Sequence, residues 1–78
     1  MLFRSAKEAV IEDAVIMPNT VVETGAIIRN AIIGENCVIR SGAVIGGTFR
    51  EGEKRQISVV GKDHTIEVNQ VVKPGEVL

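Results

Sequence analysis

Aliphatic residues return at almost every sixth position along this chain, with polar or glycine positions in a fixed order between them. A helix turns once in about 3.6 residues, so a spacing of six gives it no single apolar face. Because six is even, an extended chain keeps such residues on one side if its strands are interrupted regularly. The pattern therefore predicts short strands joined by corners. The predicted inward positions are Val10, Ile16, Val22, Ile28, Ile33, Ile39, Ile45, Val60, Ile66, Val72 and Leu78.

The predicted corners carry the residue types that adopt positive φ most readily. Three positions after most inward residues stands Gly, Asn or Asp. The exception is Ala31, which lies in a shortened step of five residues between Ile28 and Ile33. We expect left-handed backbone at Asp13, Asn19, Gly25, Asn36, Gly42, Asp63, Asn69 and Gly75.

Repetition of this kind is typical of a solenoid, in which three strands and three corners form one triangular coil of about 18 residues. The inward residues then stack from coil to coil into an aliphatic core. The repeat of aliphatic-x-x-[Gly/Asn]-small-x resembles that of the left-handed parallel β-helix family. The fold expected from this resemblance is all-β, with about three to four coils and one inserted loop.

The repeat is interrupted once, by the stretch GGTFREGEKRQ, which has two adjacent glycines, five charged residues and no aliphatic residue. A loop leaving the coil at one corner is the simplest interpretation. We expect a single β-helix domain over residues 1–78, with a lead-in strand at 1–8, regular coils at 9–46, an exposed loop at 47–56 and the final coil at 57–78.

Composition limits the classes of function. The formal net charge of −1 disfavours non-specific nucleic-acid binding, which normally requires a basic excess. No aliphatic run approaches the roughly 20 residues needed to span a bilayer, and no signal peptide is predicted. The single cysteine, Cys37, fits a reducing compartment and a place among small core residues. We expect a cytoplasmic protein with no membrane or nucleic-acid partner.

A narrower resemblance rests on the order of three irregularities. The VIMP step, the shortened RNAIIGEN step and a loop followed by a VVGK strand occur in this order in the C-terminal β-helix of bacterial glucose-1-phosphate adenylyltransferase. That family makes ADP-glucose from ATP and glucose 1-phosphate in glycogen synthesis. The resemblance implies an oligomerisation and allosteric-regulatory module that packs against a catalytic nucleotidyltransferase domain.

The Gly-rich, Arg-containing loop that holds nucleotide phosphates in that family has no counterpart here. Gly46 and Gly47 precede a loop and lack the strand-to-helix context of a phosphate cradle. We therefore expect no catalytic activity from this chain alone, and predict no catalytic residue, metal site or cofactor.

Four basic residues are candidates for effector binding. Lys62 matches the position of an effector-binding lysine in plant members of the resembling family, and its ammonium suits a phosphate or carboxylate. Arg50, Lys54 and Arg55 lie in the inserted loop. We expect these side chains to converge on one hollow that holds a phosphorylated sugar or a similar anion. The alternative for Lys62 is a solvated lysine beside a turn aspartate, Asp63.

A second class of function stays open, namely a hexapeptide-repeat acyltransferase fragment or a stand-alone structural scaffold. An acyltransferase of this fold would use one histidine as a general base. His64 is the only histidine, too few for a zinc site built from three. A structural or exposed role for His64 is the favoured interpretation.

The residue before each inward position is usually also aliphatic, and it should face outward. Such stripes exceed what a monomer normally exposes, which predicts a homo-oligomer formed through the outer faces. Val21 and Val38 are expected on one outer face, two coils apart. The predicted outward residues are Val15, Val21, Ile27, Ile32, Val38, Val44, Val59, Val71 and Val77.

Overall fold

The computed structural model describes residues 4, 5 and 8–78 and shows strands, turns and loops there, with every strand pairing parallel. These pairings confirm the all-β prediction and form a short parallel β-helix. Of the predicted lead-in strand, residues 1–3, 6 and 7 lie outside the described residues. No helix in the described part of the chain has the length and apolarity to cross a membrane. The strands are β1 (Arg4–Ser5), β2 (Val10–Ile16), β3 (Val21–Val22), β4 (Ile27–Ile33), β5 (Val38–Ile39), β6 (Val44–Gly46), β7 (Ser58–Val60), β8 (Thr65–Ile66) and β9 (Val71–Val72).

The register shows a repeat of seventeen residues rather than eighteen. Val10 pairs with Ile27, and Ile27 pairs with Val44, each partner seventeen positions further along the chain. Val44 then pairs with Val71, twenty-seven positions away, so this coil carries ten additional residues. The shortened step is therefore a regular part of the repeat. The first two coils turn one corner with fewer residues than the other two, and in the third coil the additional residues are inserted at that corner.

The first coil corrects one predicted inward position. Ile11, not Val10, pairs with the core residue Ile28, and Ile11 packs against the core. Val10 pairs with the outward Ile27 instead. The step from Ile11 to Ile16 thus also has five residues, which the six-residue template missed.

The strands line three outer faces. Face A consists of β1, β3, β5 and β8. Face B contains the first halves of β2 and β4 together with β6 and β9. Face C contains the second halves of β2 and β4, then β7, and ends at a bridge from Val59 to Val77. Val21 and Val38 pair directly on face A, so they lie in adjacent coils and not two coils apart.

The core runs along the helix axis and consists of aliphatic rows with small residues between them. Ile16 and Leu78 pack at its margins, and Cys37 is fully buried, as predicted. Apart from Val10, the predicted inward positions are confirmed. The buried apolar residues are Val22, Ala26, Ile28, Ala31, Ile33, Cys37, Ile39, Ala43, Ile45, Val60, Ile66 and Val72.

The left-handed corners occur where the sequence places them. All eight predicted residues have positive φ, from 50° at Asp13 to 81° at Gly75. In the shortened step the left-handed residue is Asn30, with φ 49°, immediately before Ala31. The apparent exception at Ala31 is therefore a corner displaced by one residue.

Candidate functional site

The inserted loop leaves the coil at the corner between face B and face C. Gly46 aligns with Arg29 and Ser58 aligns with Ala31, so residues 47–57 occupy the place of Asn30 alone. Gly46 has φ 77°, and a side chain there would collide with the carbonyl oxygen of Arg29. Glycine at position 46 thus lets the chain leave β6 close against the preceding coil.

The loop has its own internal turn. The backbone N–H of Arg50 donates to Glu53 Oε1 at 2.6 Å, and the N–H of Glu53 donates to the carbonyl of Arg50 at 3.0 Å. These two bonds close a compact turn at the tip. The carboxylate of Glu53 therefore accepts a backbone hydrogen bond, and its negative charge lowers the net positive charge of the loop.

Asn30 holds the loop against the coil. Its Nδ2 donates to the carbonyl oxygen of Gly47 at 2.7 Å, and the residue is only 6% exposed. Its other amide atom, Oδ1, is the one buried side-chain polar atom without a hydrogen-bond partner among the described residues. A buried polar atom without a partner is costly, which makes it a marker of a site that receives a ligand or water.

A hollow of about 150 Å³ opens between this corner and the loop. Arg29 Nε donates to Glu12 Oε1 at 2.7 Å across two adjacent coils. The lining also has one aromatic ring and one hydroxyl group. Its residues are Glu12, Asp13, Arg29, Asn30, Thr48, Phe49 and Arg55.

The predicted effector residues are not all brought together there. Arg55 lines the hollow, whereas Arg50 and Lys54 are exposed loop residues outside its lining. Lys62 is exposed beside Asp63 at the corner between face C and face A. Strand β7 separates the two corners, because the loop rejoins the coil before that strand and Lys62 follows it. The hollow therefore gathers one of the four predicted residues.

Sequence reasoning missed the coil residues of the hollow. Glu12 and Asp13 stand seventeen positions before Arg29 and Asn30, so they lie side by side in successive coils. A template of seventeen residues would have aligned these two polar pairs at the corner from which the loop emerges. That alignment is the signal in the sequence that could have located the site.

His64 is exposed, and no group of three or more His, Cys, Asp or Glu residues is placed to hold a metal ion in the part of the chain that the structure describes. Within the described lining, Thr48 supplies the hydroxyl and no histidine accompanies it. The arrangement supports hydrogen bonding and charge pairing to a bound molecule.

The fold and this corner define the class of protein, a parallel β-helix module with a polar hollow beside an inserted loop. The family model for the GMPPB C-terminal domain matches residues 4–78, and the chain belongs to that family, a nucleotidyltransferase-family left-handed β-helix domain. Comparison with curated proteins and with solved structures gives no significant match.

The family match confirms the coarser part of the sequence-based resemblance. The chain matches a C-terminal module of the nucleotidyltransferase family. The match does not identify glucose-1-phosphate adenylyltransferase as the particular enzyme.

Proposed function

We propose that this module assembles and regulates a cytoplasmic nucleotidyltransferase. The family match supports the class of parent enzyme, and the ordered VIMP, RNAIIGEN and VVGK segments favour glucose-1-phosphate adenylyltransferase, acting in glycogen synthesis, as that parent. A buried free cysteine, Cys37, is consistent with the reducing cytoplasm.

The observation that carries the assembly role is an aliphatic patch on face C. The outward side chains of Val15, Ile32, Val59 and Val77 follow one another in register across it. Val15 is 58% exposed, Ile32 37% and Val77 70%. Met17 and Ile57, at the ends of face C strands, are exposed too. We call these six residues the face C patch.

A second copy of the same chain is the occupant that fits this patch best. A flat, aliphatic and continuous surface is self-complementary when two copies meet about a two-fold axis. Burying it removes apolar area from water at about 25 cal/mol per Å². Face A is less suited, because Thr65 replaces an aliphatic residue in its outer row.

The assembly role is tested by placing a charge at the centre of the patch. Ile32→Lys should shift the chain toward a smaller species in sedimentation at micromolar concentration, because a buried ammonium at an interface is costly. Val68→Lys is the matched control, since Val68 is 56% exposed but lies outside face C. Equal sedimentation of both variants and the unmodified chain would remove face C as the interface.

The regulatory role concerns the effector residues. Lys62, Arg50, Lys54 and Arg55 are proposed to contact a phosphorylated-sugar effector, with the catalytic domain of a full-length parent completing the site. The support is their exposure and charge together with the resemblance at Lys62. Because Lys62 and the loop lie at different corners, we propose that they engage separate parts of the effector or of the catalytic domain.

Effector activation of the full-length parent is the measurement for this role. Lys62→Ala should reduce the coupling between effector and substrate, which is typically about 1–3 kcal/mol. Lys73→Ala serves as the control, because Lys73 is an exposed turn lysine elsewhere. If activation is unchanged by Lys62→Ala, only the assembly role remains.

A further inference from the structure

We propose that the hollow beside the loop binds a neutral, hydroxyl-rich molecule of monosaccharide size. This goes beyond the regulatory role proposed above, because it assigns a second ligand, of different charge, to the hollow at the corner away from Lys62. Arg55 is the residue that the two proposals share. It rests on the unpartnered Asn30 Oδ1, on the balance of charge in the lining and on the shape of the hollow.

Asn30 requires a donor from outside the chain. The carbonyl of Gly47 can only accept, so the hydrogen bond from Nδ2 fixes which end of the amide is the oxygen. That oxygen is buried and has no partner. It can only accept, so a ligand hydroxyl is a suitable donor whereas a phosphate oxygen is not.

The charges of the lining balance. Glu12 and Arg29 already pair with each other. Asp13 and Arg55 remain as one acceptor and one set of donors. An anion would meet the two carboxylates, whereas neighbouring hydroxyls can donate to Asp13 and Asn30 and accept from Arg55. The site is therefore matched to a neutral ligand with donors and acceptors on adjacent atoms.

The size and the lining of the hollow also suit a monosaccharide. The volume of about 150 Å³ is roughly ten times the 10–15 Å³ that one water needs, so the hollow holds more than a bridging water. Phe49 adds an apolar surface among the polar groups. A sugar ring presents both an apolar face of C–H groups and a rim of hydroxyls. A small ligand in an open site should bind with a dissociation constant in the millimolar range.

Titration of the isotope-labelled full chain followed by NMR tests the proposal directly. Glucose, mannose and galactose are added in turn up to about ten times the expected millimolar constant, and inorganic phosphate is added separately. We expect saturable shifts with at least one sugar at the amides of Asp13, Asn30 and Phe49. Shifts with phosphate alone, or no saturable shift with any sugar, would overturn it.

Variants separate binding from folding. Asp13→Asn keeps a residue type that tolerates positive φ but removes the carboxylate, and Phe49→Leu keeps apolar bulk but removes the ring. Each should weaken sugar binding at least fivefold, while Glu51→Gln, at an exposed position of the same loop outside the lining, leaves it unchanged. Unaltered binding in both hollow variants would also overturn the proposal. The Lys62→Ala activation test is independent of this result, so the two proposals fail separately.

Discussion

At the residue scale, a buried hydroxyl adds to the backbone hydrogen bonds that join two successive coils. Thr20 is fully buried, and its Oγ1 donates to the carbonyl of Gly34 at 2.7 Å. The same oxygen accepts from the backbone N–H of Cys37 at 3.2 Å. One side chain thereby satisfies a donor and an acceptor that would otherwise be buried without partners.

Thr20→Val keeps the shape of this side chain and removes both hydrogen bonds. We expect the free energy of unfolding to fall by about 1–3 kcal/mol, because two buried backbone groups lose their partners. Thr20→Ser is the control, since it keeps the hydroxyl and loses one methyl group, worth about 0.8 kcal/mol. Urea unfolding measures both, and a valine variant more stable than the serine variant would contradict this.

The left-handed corners differ in whether the surrounding atoms leave space for a larger side chain. At Gly42, with φ 74°, a built Cβ would meet the side-chain amide oxygen of Asn69. Gly42→Val should therefore cost more than about 1 kcal/mol through backbone strain and collision. Asn36→Gly, at another left-handed corner with φ 58°, should change stability by less than about 0.5 kcal/mol. Thermal unfolding compares them, and an unchanged melting curve for Gly42→Val would refute the argument.

At the element scale, the inserted loop replaces a single residue and is not needed to close its coil. Since Gly46 and Ser58 align with Arg29 and Ala31, one residue suffices between them. The ten additional residues are an elaboration of one corner. Their contribution is the far wall of the hollow, through Thr48, Phe49 and Arg55.

Replacing residues 47–57 by a single Asn should leave the β-helix folded. Shortening a flexible loop lowers the entropy cost of closure, so the melting temperature should stay the same or rise slightly. Sugar binding at the hollow should disappear, because one wall is removed. Circular dichroism and the NMR titration measure the two effects. Loss of the β-sheet signal would show that the loop is required for the fold.

At the scale of the whole molecule, stability is a sum over neighbouring coils, as in other solenoids. The seven-residue strand β4 pairs with β2 on one side and with β6 and β7 on the other. Strand β9 and the bridge at Val77 lie at the C-terminal end and pair on one side only. The central strand β4 is therefore stabilised by pairing on both sides, whereas the C-terminal strand β9 is stabilised on one side only.

Amide hydrogen exchange should follow this order. Residues Ile28 and Ile33 in β4 should exchange most slowly, and Val72 in β9 should exchange faster, because end coils open locally at lower free energy. Native-state exchange monitored by NMR resolves these positions. Uniform exchange rates throughout β4 and β9 would indicate all-or-none opening instead.

The sequence predicts most of this fold because its signals are local. Burial of Ile28 or Ile39 and left-handed backbone at Asn19 follow from residue type and spacing alone. The six-residue template misplaces the first coil because Asp13 stands three residues after Val10 and two after Ile11, so either residue can precede a corner at Asp13. Only pairing with the second coil decides between them.

The hollow could not be derived in the same way. Its residues come from three successive coils, and only the stacking of coils brings Asp13, Asn30 and Arg55 together. The loop charges were visible in the sequence, but the corner at which Lys62 lies depends on the path of β7. A site made by stacking shows in the sequence only through the seventeen-residue spacing between coils, and not within any single six-residue step.

The seventeen-residue register has a consequence for how such a chain can evolve in length. Each repeat contains all three of its corners, so a tandem duplication of residues 21–37 would add one complete ring and leave every other ring in phase. A duplication or deletion of another size would break that phase unless the surplus bulges out at a corner, as residues 47–57 do. Growth by whole rings and growth by bulging are thus two separate routes, and the second creates new concave surface without changing the axis.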